Sequence, residues 1–293
     1  MGQLKGKVAV VTGSSRGLGL AIAQAYLQEG ASVIVSSRSQ MAVADALQRL
    51  PQDPNRVSGI VCDVGDFSQV QALAGHALDT FGRIDIWVNN AAISGTYGPT
   101  AHIQAADFVE VLQTNILGVY YGSWIALQHF LPQRSGKLIN IQGAGDRRPG
   151  PFQNAYSSSK AWVRSFTAAL AKEYAAAGVG IYALNPGLMH TDLIQRFKVV
   201  AGFEKRLAPF KTVIRMWGKP PEEPAQQAVW LASRATDGRI GLEVRTSNIA
   251  NLLQGALREL WRRLLRRPSE PIEFDLQIVP PVLKTTSQAG SKD

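Results

Sequence analysis

Thr12-Gly13-Ser14-Ser15-Arg16-Gly17-Leu18-Gly19 follows directly on the β-branched run Lys7 to Thr12 and opens a stretch with helical spacing, Gly17 to Glu29. Leu18, Ile22, Ala25 and Tyr26 fall on one side of that stretch, and Gly30 closes it. Glycines at such a junction let the backbone turn sharply and come close to a pyrophosphate. The first turn of the helix then offers unpaired N–H groups and the positive end of its dipole. A run of glycines alone says little. Set between a strand and the helix it leads into, it predicts a phosphate-binding loop.

The same alternation continues along the chain. Ser32 to Ser36, Val57 to Cys62, Ile84 to Asn89, Lys137 to Gln142, Val179 to Asn185 and Ile240 to Val244 read as further strands. Helices are predicted over Met41 to Leu50, from the cap Asp66 to about Phe81, around Gln104 to Leu112 and Gln113 to Phe130, over Ala155 to Ala177 and over Pro224 to Ser233. Strands that are apolar throughout suit a parallel sheet covered on both faces. The pattern predicts an α/β fold: a single Rossmann-type doubly wound parallel sheet of about seven strands flanked by helices over residues 1–246, with a C-terminal helical extension. The 293 residues supply one large core and fall a little short of two full-sized domains.

The end of the second strand, Val35-Ser36-Ser37-Arg38, narrows the ligand. A dinucleotide site for NAD places an acidic residue here to hold both ribose hydroxyls. Ser37 and Arg38 stand there instead. Arg38 and Arg16 are able to pair with a 2′-phosphate and Ser37 to donate a hydrogen bond to it, so these residues favour NADP(H).

Taken in order, the motifs resemble the short-chain dehydrogenase/reductase family, in its NADP(H)-preferring form, from about residue 5 to residue 246. The Thr-Gly-x-x-x-Gly-x-Gly loop supplies Gly13, Ser15, Arg16, Gly17, Leu18 and Gly19. Cys62-Asp63-Val64 is similar to the segment whose aspartate hydrogen-bonds adenine in that family. Asn89-Asn90-Ala91-Ala92 resembles its Asn-Asn-Ala-Gly segment, with Ala92 at the usual glycine. Asn115 lies where the family carries an active-site asparagine. Tyr156-Ser157-Ser158-Ser159-Lys160 matches Tyr-x-x-x-Lys, and Asn185-Pro186-Gly187 with Thr191 matches the segment flanking the nicotinamide. The resemblance therefore implies cofactor contacts from the loop and from Ser37, Arg38, Asp63, Val64, Asn90, Ala91, Tyr156, Lys160, Pro186, Gly187 and Thr191. It implies catalysis by Tyr156, Lys160 and Asn115.

Reducing a ketone needs a hydride on carbon and a proton on oxygen. A tyrosine hydroxyl, ordinarily of pKa about 10, is a reluctant donor and a still more reluctant base. A nearby ammonium stabilises the phenolate and lowers that pKa. The spacing of four places Tyr156 and Lys160 on one helix face. By resemblance Lys160 also holds the nicotinamide ribose, and Asn115 orders a water that relays protons to it. One position departs from the family. A serine normally stands thirteen residues before the tyrosine to bond the substrate oxygen, and here that residue is Gly143. Three explanations compete: donation by Gln142, a substrate activated enough to do without the serine, or a non-redox role such as cyclisation, isomerisation or regulation. The favoured expectation is a reductase.

After Gly187 the chain runs through Leu188, Met189, Phe197, Val199, Val200, Phe203, Leu207, Phe210, Ile214, Met216 and Trp217, within a lid expected over 188–220. These side chains suit a bulky hydrophobic substrate, or else pack the lid and a subunit contact. Interspersed Lys198, Lys205, Arg206, Lys211 and Arg215 leave an anionic substrate open. Residues 247–267 read as a basic amphipathic helix, in which Leu252 to Arg267 holds five Arg and one Glu. Docking onto the core or a neighbouring subunit ranks first for it, and a peripheral membrane surface second. Residues 268–293 are expected to be loosely ordered. The helices around Gln113 to Phe130 and Ala155 to Ala177 imply, by family habit, a homodimer or homotetramer.

The net charge of +9 fits a phosphate-bearing cofactor, and no nucleic-acid recognition motif accompanies it. The scattered His76, His102, His129 and His190 predict no metal site. Cys62 is the sole cysteine and reads as a core residue. Met1 to Lys7 is short and polar and no stretch is long enough to span a bilayer, so the expected compartment is the cytoplasm.

Overall fold

The computed structural model describes residues 2–51, 53, 55–247, 249–269, 272 and 274–283. In chain order the first elements are β1 (Val8–Val11), α1 (Gly17–Gln28), β2 (Ser32–Ser37), α2 (Gln40–Arg49), β3 (Val57–Val61), α3 (Phe67–Phe81), β4 (Ile86–Asn89), β5 (Thr96–Tyr97), α4 (Ala105–Leu112), α5 (Gly118–Gln133) and β6 (Lys137–Ile141). There follow α6 (Asn154–Glu173), β7 (Gly180–Asn185), α7 (Asp192–Gln195), β8 (Arg196–Val200), α8 (Ala208–Trp217), α9 (Glu222–Ala232), β9 (Glu243–Arg245), α10 (Ile249–Leu264) and β10 (Asp275–Val279).

The predicted sheet is present: seven strands in the order β3-β2-β1-β4-β6-β7-β9, every pair parallel. Strands buried on both faces explain the unbroken apolar runs. Two hydrophobic cores flank the sheet. One joins it to α1, α2 and α9. The other joins it to α3, α5 and α6. Local chemistry sets the helix ends: the Asp66 carboxylate accepts from the N–H groups of Ser68 and Gln69, and Gly82 closes α3 at φ +76°. The chain reverses its direction of winding between β1 and β4, which makes the carboxyl ends of these two strands the place for a ligand.

The structure adds three features. A π-helical turn, Gln113–Leu117, joins α4 to α5. The expected lid is not a loose apolar cover, because β8 within it is the centre of a second parallel sheet, β10-β8-β5. Phe197, Val199 and Leu207 are buried there among Tyr97, Phe203, Phe210, Phe274 and Leu276, so much of the lid's apolar surface packs a small core of its own. The expectation of a loosely ordered 268–293 is corrected accordingly at Asp275–Val279, which pairs residue for residue with Arg196–Val200. Composition misses such a strand because its partner lies some eighty residues away. Residues 284–293 lie outside the described residues. None of the described helices is long and apolar enough to cross a membrane.

Candidate active site

The turn after β1 is fixed from below by polar atoms at the end of β4. Asn90 Nδ2 donates to the carbonyls of Thr12 (2.9 Å) and Gly13 (3.0 Å), and Thr12 Oγ1 accepts from the N–H of Asn90 (3.0 Å) and of Ala91 (3.2 Å). Gly13 has φ +61°, and a Cβ there would lie 2.7 Å from Cα of Ala91; one on Gly19 would lie 2.5 Å from Asn90 Nδ2. No side chain caps the first turn of α1. Its first N–H groups therefore lack a side-chain partner, and a cavity of about 280 Å³ beside the helix is lined by Arg16, Gly17, Leu20, Gln24, Arg49 and Thr191. A pyrophosphate fits this cradle: close backbone, free N–H groups and no Cβ in the way. Thr191 Cγ2 comes within 3.4 Å of the Cβ position of Gly17, so the segment after β7 leans over the loop.

Farther along, Ser37 and Arg38 end β2. Arg38 bonds Glu110 (3.4 Å) and Arg16 bonds Asp192 (2.9 Å), both as exposed pairs. Asp63 Oδ1 accepts from the Gly65 N–H (2.9 Å), and Val64 is buried against Gly118. Pro186 and Gly187 form the turn after β7. Gly187 takes φ +74° and donates its N–H to Asn185 Oδ1 at 3.0 Å.

At the chemical end, Tyr156 and Lys160 share one face of α6, with Lys160 Nζ 5.7 Å from the ring centroid of Tyr156. Lys160 is buried and donates to the Ile141 carbonyl at 3.1 Å. Burial lowers its pKa to about 8, against an opposing pull from Asp146. Burial also pushes the Tyr156 hydroxyl up to about 12, and Asp146 adds to that rise. At neutral pH this tyrosine is therefore a phenol with its proton in place. Gly143 lies directly before it: a Cβ on Gly143 would sit 2.5 Å from Tyr156 Oη. Asn115, fully buried in the π-helical turn, receives the Ile93 N–H (2.9 Å) and donates to the Ile93 carbonyl and to Ser159 Oγ (both 3.0 Å).

A glycine-cradled loop at the switch point of a doubly wound sheet, with a half-buried tyrosine and a buried lysine at its chemical end, is matched by one family model, short chain dehydrogenase, over residues 7–199. The chain belongs to the short-chain dehydrogenase family. Among its relatives are Glucose 1-dehydrogenase 2 of Bacillus subtilis, 33% identical over 78% of this chain and 89% of that protein, and 3beta-hydroxysteroid dehydrogenase 1 of Eggerthella lenta, 35% identical over 78% and 88%. The 3-ketoacyl-(acyl-carrier-protein) reductase of Brucella melitensis, solved in complex with NADH, superposes with a TM-score of 0.72 at 28% identity, over 83% of this chain and 98% of that one. The fold and these relatives place the protein among the oxidoreductases of this family.

Against the family frame, two residues stand out that the sequence reading did not single out or left undecided. Asp146 is 8% exposed, ion-paired with Arg245 and bonded by Asn185 Nδ2 at 2.9 Å. Asn185 also donates to the Gly143 carbonyl (3.3 Å), so it ties the turn at Gly143 to the turn at Gly187. The signal was an acid just after a Gly-Ala-Gly turn, but Arg245 is ninety-nine residues away and no local pattern links the two. Gln142 is 2% exposed, and neither end of its amide finds a hydrogen-bond partner among the described residues. A buried amide without partners is an unfavourable state that a ligand or water would relieve. No group of His, Cys, Asp and Glu suited to a metal ion occurs among the described residues.

Proposed function

We propose that the protein is an NADP(H)-dependent oxidoreductase that reduces a carbonyl, or oxidises the corresponding alcohol, on an apolar small molecule. The observation that carries this reading is the pairing of half-buried Tyr156 with buried Lys160 on one face of α6, with the phenol protonated at neutral pH. When bound, the cofactor supplies or receives the hydride. In the reducing direction Tyr156 gives its hydroxyl proton to the substrate oxygen: the phenol O–H breaks as the alcohol O–H forms. The Lys160 ammonium stabilises the phenolate left behind and would hold the nicotinamide ribose. Both amide hydrogens of Asn115 are engaged by Ile93 and Ser159. Its part is to hold the π-helical turn against α6, with the second lone pair of Oδ1 left for a water.

Gly143 stands where the family serine would bond the substrate oxygen, and the loss of such a donor is worth roughly 10²–10³ in rate. Gln142, with both amide ends unpartnered, is the replacement this reading favours. The 2′-phosphate reading rests on Arg16, Ser37 and Arg38. The exposed ion pairs that now hold the two arginines are worth little and are readily exchanged for a phosphate. An apolar substrate is supported by a groove of about 400 Å³ lined in part by Ile103, Phe108, Val109 and Ala155, the residue that precedes Tyr156 in the chain, and by the ring contacts Tyr97–Phe152 and Phe152–Phe203. The lid residues packed into the small core no longer argue for it. A homodimer or homotetramer is supported by the exposed Leu117, Tyr120 and Trp124 of the α5 side, next to the stacked Trp162 and Phe166 of α6.

The test is oxidation of NADPH, with NADH as control, across a panel of hydrophobic ketones, quinones and enones. Turnover with NADPH that disappears in Tyr156→Phe is the expected result. Tight NADPH binding without turnover anywhere in the panel would overturn the reductase reading.

A further inference from the structure

Helix α10 is docked by the face that an amphipathic helix ordinarily turns to water. Gly255 lies so close to Met216 that a Cβ would overlap its carbonyl oxygen. Trp217 Nε1 donates to the Leu252 carbonyl at 2.9 Å. Glu259, only 6% exposed, is held by Arg262 (2.8 Å), Arg263 (2.9 Å) and Arg215 (3.6 Å). These contacts rotate the leucines outward: Leu253, Leu257, Leu260, Trp261, Leu264 and Leu265 are 53–65% exposed. At 3.6 residues per turn the six fill one arc diametrically opposite Gly255 and Glu259. Of the fifteen large hydrophobic side chains exposed among the described residues, six lie on α10 and Leu265 directly follows it. An apolar surface so concentrated on one element marks an interaction site.

Charge selects what covers it. Arg258 borders the leucine arc on one side and Arg263 on the other, while Arg266 and Arg267 follow the last turn. Arg258, Arg266 and Arg267 have no ion pair among the described residues. A second copy meeting this face would bring two arginine clusters together. Residues 284–293, Lys-Thr-Thr-Ser-Gln-Ala-Gly-Ser-Lys-Asp, contain no apolar side chain larger than Ala289 with which to cover it. A surface of anionic lipid supplies both of the missing partners, an apolar interior for the leucines and phosphates for the arginines, and tryptophan favours the boundary between them. We propose that α10 docks the protein on an anionic lipid surface, with the leucine arc and Trp261 entering the interface. Thr246, three residues before α10 in the chain, donates its hydroxyl to the Pro186 carbonyl at the turn after β7.

Flotation of the full-length protein with phosphatidylcholine vesicles, with and without phosphatidylglycerol, tests this. The expected result is co-flotation that requires phosphatidylglycerol and weakens at high salt. The outward double substitution Leu257→Glu/Leu264→Glu should reduce it by roughly tenfold or more without moving the thermal unfolding midpoint. Arg266→Glu/Arg267→Glu should reduce it on anionic vesicles as well. A wild-type protein that does not float overturns the proposal, as does equal flotation of the leucine variant. Light scattering that finds a larger assembly for a non-floating wild type than for Leu257→Glu/Leu264→Glu would assign the face to a second copy instead.

Discussion

The two halves of the active site are held by different physics. The phosphate cradle is backbone, closed by Asn90 and Thr12 in short, mutually satisfied hydrogen bonds, with no room for an added atom at Gly13 or Gly19. The chemical end is made of side chains the fold has forced together. It contains a buried lysine with a lowered pKa, a tyrosine with a raised one, a buried carboxylate acting on both, an unpartnered amide and a missing side chain at Gly143. A cradle of fixed backbone with free N–H groups binds one invariant group and gains nothing from change. A chemical end with space and unmet polar demand leaves those to a substrate.

If that division is sound, the halves respond separately to substitution. Tyr156→Phe should lower turnover by about 10²–10⁴ while dinucleotide affinity, read by fluorescence titration, barely moves; a comparable fall in affinity would mean that the halves are one unit. Gly13→Val does the reverse. The positive φ and the 2.7 Å approach to Ala91 impose strain of about 1–3 kcal/mol, and calorimetry should find dinucleotide affinity reduced by about 10² or more, the range spanned by 2.7 kcal/mol and above. Gly143 sharpens the contrast. Alanine there pushes on the Tyr156 hydroxyl and should slow turnover by up to about 10², whereas serine, with the same bulk but a donor, should recover part of the loss. Equal rates for the two variants would show that the missing donor is of no consequence to this reaction.

The smallest effect expected is one of pH on the cofactor-free protein. Lys160 has a folded-state pKa of about 8 against an ordinary 10.5. Between these values the unfolded chain binds more protons than the folded one, so stability rises with pH. The unfolding free energy of the wild type relative to Lys160→Met, measured in denaturant, should climb from pH 8 to pH 10.5 and be flat below pH 7. Tyr156 titrates in both proteins and largely cancels in the comparison. A flat difference across the window would place Lys160 in contact with solvent or with a stronger anion.

Legibility in the sequence follows the same line. The strand, loop and helix at Lys7 to Glu29 were readable because each residue's role there depends on near neighbours: β-branching, helical spacing and a glycine whose φ the turn requires. The caps at Asp66 and Gly82 were readable for the same reason. In the lid, an apolar run was visible, but the same composition serves a substrate cover or a small core, and only the arrival of Phe274 and Leu276 gives the latter. Asp146 passed as one acid among many because its partners, Asn185 and Arg245, come from two later strand ends.

By itself the sequence determined the doubly wound sheet, the phosphate loop and the placing of Tyr156 one helical turn from Lys160, since all of these follow from periodicity and local stereochemistry. The tertiary structure alone decided that β10 completes a second sheet, that Asp146 lies within electrostatic reach of Tyr156 and Lys160, and that α10 turns its leucines to the outside. In α10 the hydrophobic pattern says only that two faces differ. Which one meets the protein was settled by the close approach of Gly255 to Met216 and the pairing of Glu259 with Arg215, contacts between segments that no local rule connects.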